Sequence, residues 1–241
     1  MPTPPDSSRS SASRRSRAGA RRGPGLAHPP SDYPGKVILA VDTSLGTAVA
    51  LIDADGRALA RASSPDPIGH AEVVGTLIQQ ATEAAGGITH VVAGMGPGPF
   101  TGLRIGIAAA RAFALGRGIP VIAVPSHFAA ALTVIDEDEP DSPFAIVTDA
   151  RRREVAISLF DGVDAAGIPN LVEPTVLVPR GDSDERLHGI HAIEVATLDA
   201  ANLARVGLLA VRAERELTGP EPLYLRQPDV TVPGAPKRVS G

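Results

Sequence analysis

The chain of 241 residues has no cysteine and no tryptophan, and only two tyrosines and five phenylalanines. The missing thiols exclude disulfide staples, thiolate zinc sites and a cysteine nucleophile together. Aromatics at 3% against 43% hydrophobic residues leave Ala, Val, Ile and Leu to build the interior, a dense core of small side chains. No apolar run reaches the roughly 18 to 20 residues that a spanning helix needs, so a soluble, cytoplasmic protein is expected. Metal-ligand patterns are also missing. The histidines are His28, His70, His90, His127, His188 and His191, and the position one helical turn after His70 is Val74, so no paired-histidine motif forms. His188 and His191 lack further ligands and read as surface polarity. There is no Gly-x-Ser-x-Gly elbow for a serine hydrolase. No catalytic residue and no metal site is assigned.

The charge is unevenly placed. The formal total is −4, yet residues 1–35 carry six arginines against Asp6 and Asp32, which leaves about −8 for the remainder. The remainder does not read as a nucleic-acid binder. Residues 1–36, rich in Pro, Ser, Gly and Arg without periodicity, are expected to be disordered. Their composition resembles a transit peptide but lacks the apolar stretch of a secretory signal, and a tag, a misplaced start or a GC-rich genome fits equally.

Structure is legible from residue 37 onward. Val37 to Val41 is an unbroken apolar run, as in a strand buried on both faces, and Asp42-Thr43-Ser44 ends it in a polar turn. Thr47–Ile52 and Arg57–Ala62 flank Asp53-Ala54-Asp55-Gly56 and read as a hairpin. His70 to Ala85 has helical apolar spacing, Ile88 to Ala93 reads as a strand, and a small-residue helix is expected over Gly102 to Leu115. Pro120 to Val124 gives a further strand, and Ser126 is placed as the cap of a helix to about Val134. The acidic stretch Asp136 to Asp141 marks a boundary. Beyond it, Phe144–Val147, the turn at Asp149 and Glu154–Phe160 repeat the opening strand, Asp turn and strand. A strand at Thr175–Val178 and an amphipathic helix over Asp199–Leu217 complete an α/β fold of two βββαβα-type lobes. The lobes are assigned to residues 37–135 and 136–230, with a flexible tail at 231–241.

Two segments can meet an anion. The turn Asp42-Thr43-Ser44 offers amides and a carboxylate to phosphate or its Mg²⁺, although Asp42 can equally hydrogen-bond its own turn. In the loop Gly94 to Arg104, Gly96 and Gly98 permit positive φ, the prolines stiffen the backbone, and Thr101 can cap the following helix. No Gly-Lys-Ser/Thr closes this loop, so it is not a P-loop. Arg104 can join an anion site or pair with a carboxylate.

Four segments together resemble one family. They are Ile38 to Ser44, Gly96-Pro97-Gly98-Pro99-Phe100-Thr101-Gly102-Leu103-Arg104-Ile105-Gly106, Asp149-Ala150-Arg151-Arg152-Arg153-Glu154-Val155, and Pro222-Leu223-Tyr224-Leu225-Arg226-Gln227-Pro228-Asp229. In this order they resemble the TsaB (YeaZ-like) proteins, members of the actin-like, sugar-kinase-like and Hsp70-like (ASKHA) group. The resemblance implies a non-catalytic scaffold, able to form a homodimer when isolated, for the tRNA-modifying enzyme TsaD, which transfers threonylcarbamoyl to adenosine 37. TsaE is the third component, TsaC supplies the threonylcarbamoyl-adenylate, and ATP and metal reside in the partners, with no cofactor in this chain. It places the partner contact on the two helices of the first lobe, with Val74, Leu77, Ile78, Ile105, Ala109, Ala112 and Phe113 as candidates. It makes Asp42, Thr43, Ser44, Gly96, Gly98 and Thr101 vestigial phosphate-loop positions, and Arg104, Asp149, Arg151 and Arg226 structural motif positions. TsaD-like enzymes carry two histidines one turn apart where this chain has His70 and Val74. The stretch 156–196 is shorter and poorer in aromatics than the family pattern, implying a reduced second lobe. The alternative is a small ATP-dependent or peptidase-like enzyme of the same fold, acting alone.

Overall fold

A computed structural model describes residues 35–66 and 69–226. The expectations for residues 1–34, for Gln227-Pro228-Asp229 and for the tail lie outside these ranges. The first sheet has the order β3-β2-β1-β4-β5, built from β1 (Val37–Asp42), β2 (Thr47–Ile52), β3 (Ala58–Ser64), β4 (Ile88–Gly94) and β5 (Val121–Val124). The first three strands form an antiparallel meander, and β4 and β5 continue parallel to β1. β1 is buried on both faces because helices cover both. Leu39 and Val41 point toward α1 (His70–Thr82) and α2 (Phe100–Arg117). Ile38 and Ala40 point the other way, toward α3 (Ser126–Asp138) and α5 (Ala200–Arg212).

The second sheet repeats the opening meander. β6 (Phe144–Asp149) pairs antiparallel with β7 (Glu154–Val163), and the order is β10-β6-β7-β8, with β9 (Val176–Pro179) also on β7. β8 is Pro169–Leu171 and β10 is His191–Glu194, parallel to β6 and preceded by the short helix α4 (Ser183–Leu187). The α/β two-lobe architecture anticipated from the strand patterns is the observed one.

The two helices between the sheets tie the lobes into one core. α5, late in sequence, lies on β1 and β2 of the first sheet, while α3 faces β6, β7 and β8 of the second, and the two helices pack on each other. The division at residue 136 therefore separates the sheets but not this helix pair. Three of the chain's five phenylalanines meet here: Phe128 contacts Phe160 edge-on at 5.4 Å, and Phe160 stacks with Phe144 at 5.9 Å. Scarce aromatics gather between α3 and the second sheet.

Helix limits differ from the sequence expectation for identifiable reasons. α2 starts two residues earlier, at Phe100, because Pro99 serves as its N-cap. α3 runs on to Asp138, into the acidic stretch, and stops where Glu139 turns left-handed at φ 45°. That stretch is part helix, with Asp136 held by Arg205 of α5. α5 stops at Arg212 rather than Leu217, while Asp199 caps its start by accepting from Ala201 N at 2.8 Å.

A polar clamp joins α3 to the second sheet. The buried His127 ring meets Ser158 Oγ at 2.7 Å through Nδ1 and Thr148 Oγ1 at 2.9 Å through Nε2, and Ser158 in turn meets Thr175 Oγ1 at 2.7 Å. Burial disfavours the imidazolium and drives the His127 pKa down to about 3.

Two predictions follow from this packing. Gly207 of α5 lies against Val92 so closely that an added Cβ would stand 2.3 Å from a valine methyl. Helix propensity favours Ala over Gly by about 1 kcal/mol. Overpacking costs about 1–3 kcal/mol, so Gly207→Ala is expected to lower the urea midpoint despite its better propensity; an unchanged or raised midpoint refutes the close contact. The lowered folded pKa of His127 makes its stabilising contribution complete above the unfolded value of about 6.5 and progressively lost as pH falls toward 3. Unfolding free energy should therefore decline on acidification below pH 6.5, with a slope approaching 1.4 kcal/mol per pH unit from this group. His127→Gln should flatten that slope in pH-dependent denaturation, and an identical slope in the variant argues against the clamp.

Candidate functional site

The turn after β1 is the most buried polar structure in the first lobe. Asp42, Thr43 and Ser44 are all almost fully buried. Asp42 Oδ1 accepts from the Ser44 amide at 2.8 Å and from the Ser44 hydroxyl, and Oδ2 accepts from the Ser126 hydroxyl. Ser126 also accepts from the Gly96 amide at 3.0 Å. Desolvation raises the Asp42 pKa above the ordinary carboxylate value, and the serine donors pull against that rise. Ser126, expected to cap α3, does not do so: it is the first helical residue and turns its hydroxyl to Asp42. His70, at the start of α1, bonds Thr47 Oγ1 through Nδ1 at 2.8 Å.

The glycine-rich loop closes on this turn. A Cβ on Gly94 would stand 1.8 Å from Asp42 Oδ2, one on Gly98 2.7 Å from Ser44 Cα, one on Gly102 2.9 Å from the Thr43 carbonyl, and one on Gly106 2.1 Å from Thr43 Oγ1. These glycines recur every four residues. The last two lie one turn apart on α2, and Thr43 Oγ1 donates to the Gly102 carbonyl at 2.7 Å between them. Gly96 sits at φ +91°, with its missing Cβ replaced by Leu103. Asp42, Thr43, Ser44, Gly96 and Gly98 come together as the sequence proposes: glycine backbone packs directly on one side of the turn, and Ser44 borders a cavity between the lobes on another. Thr101 does not cap α2; it is an exposed residue within the first turn, after Pro99. The contacts of Gly94, Gly102, Gly106 and Ser126 with the Asp42 turn were missed in the sequence, and the four-residue glycine spacing was the signal for three of them.

Two cavities lie between the lobes, on either side of the turn Asp149 to Arg152. One, of about 400 Å³, is bordered by Ser44, His70, Asp149, Arg151 and Arg180. The other, of about 450 Å³, is bordered by Phe100, Arg151, Arg152, Leu177, Tyr224 and Arg226. The chain end forms a strap along the second cavity. Leu223 N donates to Met95 O at 2.8 Å, Arg111 donates to the Pro220 carbonyl, and Arg226 pairs with Glu154 of β7 across the cleft. Arg104 donates from Nε to Tyr224 OH at 2.9 Å and lies 3.8 Å over the Phe100 ring, which is 4.5 Å from the Tyr224 ring. Arg104 is engaged in an aromatic clamp with Phe100 and Tyr224 rather than paired with a carboxylate. Asp149 meets Arg180 at 3.5 Å, and Arg180 also donates to Glu194 at 2.8 Å, which holds its pKa above the ordinary arginine value. Among the described residues no group of three His, Asp or Glu is placed to hold a metal ion, and no helix is long and apolar enough to cross a membrane.

The candidate partner residues split. Val74, Leu77 and Ile78 of α1 face the sheet and are buried, a correction to their placement on an outer surface, because the apolar stripe of α1 covers Val49 and Leu51. Ile105, Ala109 and Phe113 of α2 are half-buried, and Ala112 is exposed. The outward faces carry Ala71 and Gly75 on α1 and Ala108, Ala112 and Leu115 on α2, with Leu115 84% exposed. Arg117 lies 4.8 Å over the Phe113 ring.

Residues 68–170 match the family model "TsaD: tRNA N6-adenosine threonylcarbamoyltransferase". An uncharacterised protein of Mycobacterium leprae (strain TN) is 35% identical over 211 residues, covering 80% of this chain and 55% of that protein. An uncharacterised protein of Mycobacterium tuberculosis (strain ATCC 25618 / H37Rv) is 36% identical over 147 residues, 58% of this chain and 64% of that protein. The chain thus spans between about half and two thirds of the length of these relatives. YeaZ from Pseudomonas aeruginosa superposes with a TM-score of 0.67 at 25% identity, over 79% of this chain and all of that one. Partial family match, motif order and shared fold together make this chain similar to the TsaB (YeaZ-like) proteins, with a two-lobed α/β fold in common with YeaZ.

Proposed function

We propose that the chain is a non-catalytic subunit that docks on a TsaD-type threonylcarbamoyltransferase through the outer faces of α1 and α2 and supports formation of threonylcarbamoyladenosine in tRNA. The observation that carries this reading is the outward surface of α2. Ala108 and Ala112 leave room for a close helix approach, and Leu115, on the same side of the helix, stands almost wholly in water at 84% exposure. A large aliphatic side chain left so exposed next to small residues fits a helix-packing surface better than a solvated one. The likeness to YeaZ supports the same reading. So does the Asp42 turn, whose carboxylate is spent on Ser44 and Ser126. His70, bonded to Thr47 and followed by Val74, does not reproduce the histidine pair of the TsaD-like enzymes. ATP and metal are assigned to the partner proteins, with TsaE as third component. The same face serves a homodimer when the chain is alone.

Two outcomes are expected. Ala112→Glu on the exposed face should leave the fold intact yet weaken co-purification with a TsaD partner at least tenfold, about 1.4 kcal/mol, because the carboxylate is desolvated without a partner. Leu59→Asp, on the far edge strand, should leave association unchanged; an equal effect of both substitutions, or none from Ala112→Glu, refutes the assigned face. Depletion of the protein from its cells should lower threonylcarbamoyladenosine in tRNA, quantified by mass spectrometry of nucleosides. Undiminished modification, or turnover of ATP or peptides by the purified chain that Asp42→Ala abolishes, selects the stand-alone enzyme instead.

A further inference from the structure

The two helices of the docking face carry charge of opposite sign. Residues 100–118, α2 with its C-cap, contain Arg104, Arg111 and Arg117 and no carboxylate. Residues 70–83, α1 with its C-cap, contain Glu72 and Glu83 and neither lysine nor arginine. Arg104, Ala108, Arg111 and Leu115 are all exposed, and their helical spacing sets them in one row along α2. Glu72, Gly75, Gln79 and Glu83, also exposed, make a corresponding row on α1, which packs beside α2.

The arginine row is fixed in place without being neutralised. Arg104 donates to the Tyr224 hydroxyl at 2.9 Å and lies over the Phe100 ring, while Arg111 donates to the Pro220 carbonyl. Both acceptors are uncharged, so neither bond cancels a guanidinium charge. The strap therefore runs along the flank of α2 from the level of Arg111 to that of Arg104, and its exposed Pro220 and Tyr224 border the arginine row. Of residues 219–226 only Glu221 is acidic, which leaves this seam net positive.

We infer that the protein partner on this face presents the reverse polarity, carboxylates against the arginine row and strap and cations against the glutamate row of α1. The inference rests on the docking reading above and specifies the chemistry of the partner's surface. Arginine and tyrosine are enriched where proteins meet, and a polar rim around small and aliphatic residues is the usual anatomy of such a contact. A nucleic acid suits the face less well, because the glutamate row of α1 repels phosphates. Rows of opposite sign on neighbouring helices also select one orientation of the partner, since the reversed one sets like charges against each other.

Affinity of the full chain for a TsaD-type partner, measured as a function of salt, tests this. It should fall about fivefold or more between about 50 and about 500 mM sodium chloride, as screening weakens the rim charges. Arg104→Gln/Arg111→Gln should weaken association about fivefold or more at low salt and flatten the salt dependence. Glu72→Gln/Glu83→Gln should do the same, and it leaves the strap bonds intact. Salt-insensitive association, or full affinity in the glutamate variant, overturns the inference and leaves the docking reading standing. An unaltered chain that binds no partner at any salt removes both. The last arm is a mobility-shift titration with tRNA: binding by the chain alone that the arginine variant loses gives the row to nucleic acid and overturns the inference as well.

Discussion

The contact between the Asp42–Ser44 turn and the glycines at 94, 98, 102 and 106 is the constraint on which the first lobe depends. One carboxylate fixes three elements at once: its own turn through Ser44, the start of α3 through Ser126, and the loop after β4 through the Ser126–Gly96 bond. Each glycine removes a Cβ that would collide with that turn or its side chains, so the backbone of α2 approaches Thr43 as closely as its carbonyl can accept a hydroxyl. A buried carboxylate is tolerable only where donors replace its water, and here the donors are the structure itself. Raising the Asp42 pKa has an opposite linkage from that of His127. The contribution of Asp42 is fully present below its unfolded value near 3.8 and is lost as pH rises through its elevated folded value. The two buried groups therefore pull stability in opposite directions across mildly acidic pH.

The second lobe is joined to the first by exchange of helices rather than by a linker. α5 returns from the end of the chain to cover the first sheet, and α3 reaches forward to the second. Between them run the phenylalanine cluster, the His127 clamp and the exposed-to-half-buried pair Arg205 and Asp136. The strap at Leu223 to Arg226 adds a second, surface connection on the opposite side of the cleft. The cleft is bounded by the packed core at its base and by the hydrogen-bonded strap at its mouth.

Much of the fold was legible because its strands are short apolar runs between turn residues. β1, β2 and β4 begin at the residues where periodicity places them, and β6 and β7 repeat the pattern. What was misread was assigned from local sequence alone, which does not show what each side chain meets in the fold. Ser126 has the composition of a helix cap, yet its hydroxyl serves Asp42, 84 residues earlier. Thr101 has the same appearance, but Pro99 already fixes the entry to α2. Val74, Leu77 and Ile78 form a proper amphipathic stripe, and a stripe alone does not distinguish a sheet beneath from a partner outside. The turn Arg151 to Arg153, at positive φ throughout, carried no conformational signal at all, because arginine is not a residue that favours positive φ.

The composition that opens the sequence also governs what its surface can do. With almost no aromatics, the interior is closed by small residues brought near one another, Gly102 and Gly106 against Thr43 and Gly207 against Val92. The same alphabet continues on the outside of α2, where Ala108 and Ala112 alternate with half-buried Ile105, Ala109 and Phe113. Small residues contribute little apolar area of their own, so such a face becomes adhesive only when the opposing helix brings larger side chains into the grooves it leaves. In the proposed docking, affinity at this surface would therefore reside largely in the partner's side chains, whereas this chain would supply closeness of approach. That division of labour favours recognition by shape, and it explains how an outer face can remain nearly featureless in sequence while Leu115 marks its edge.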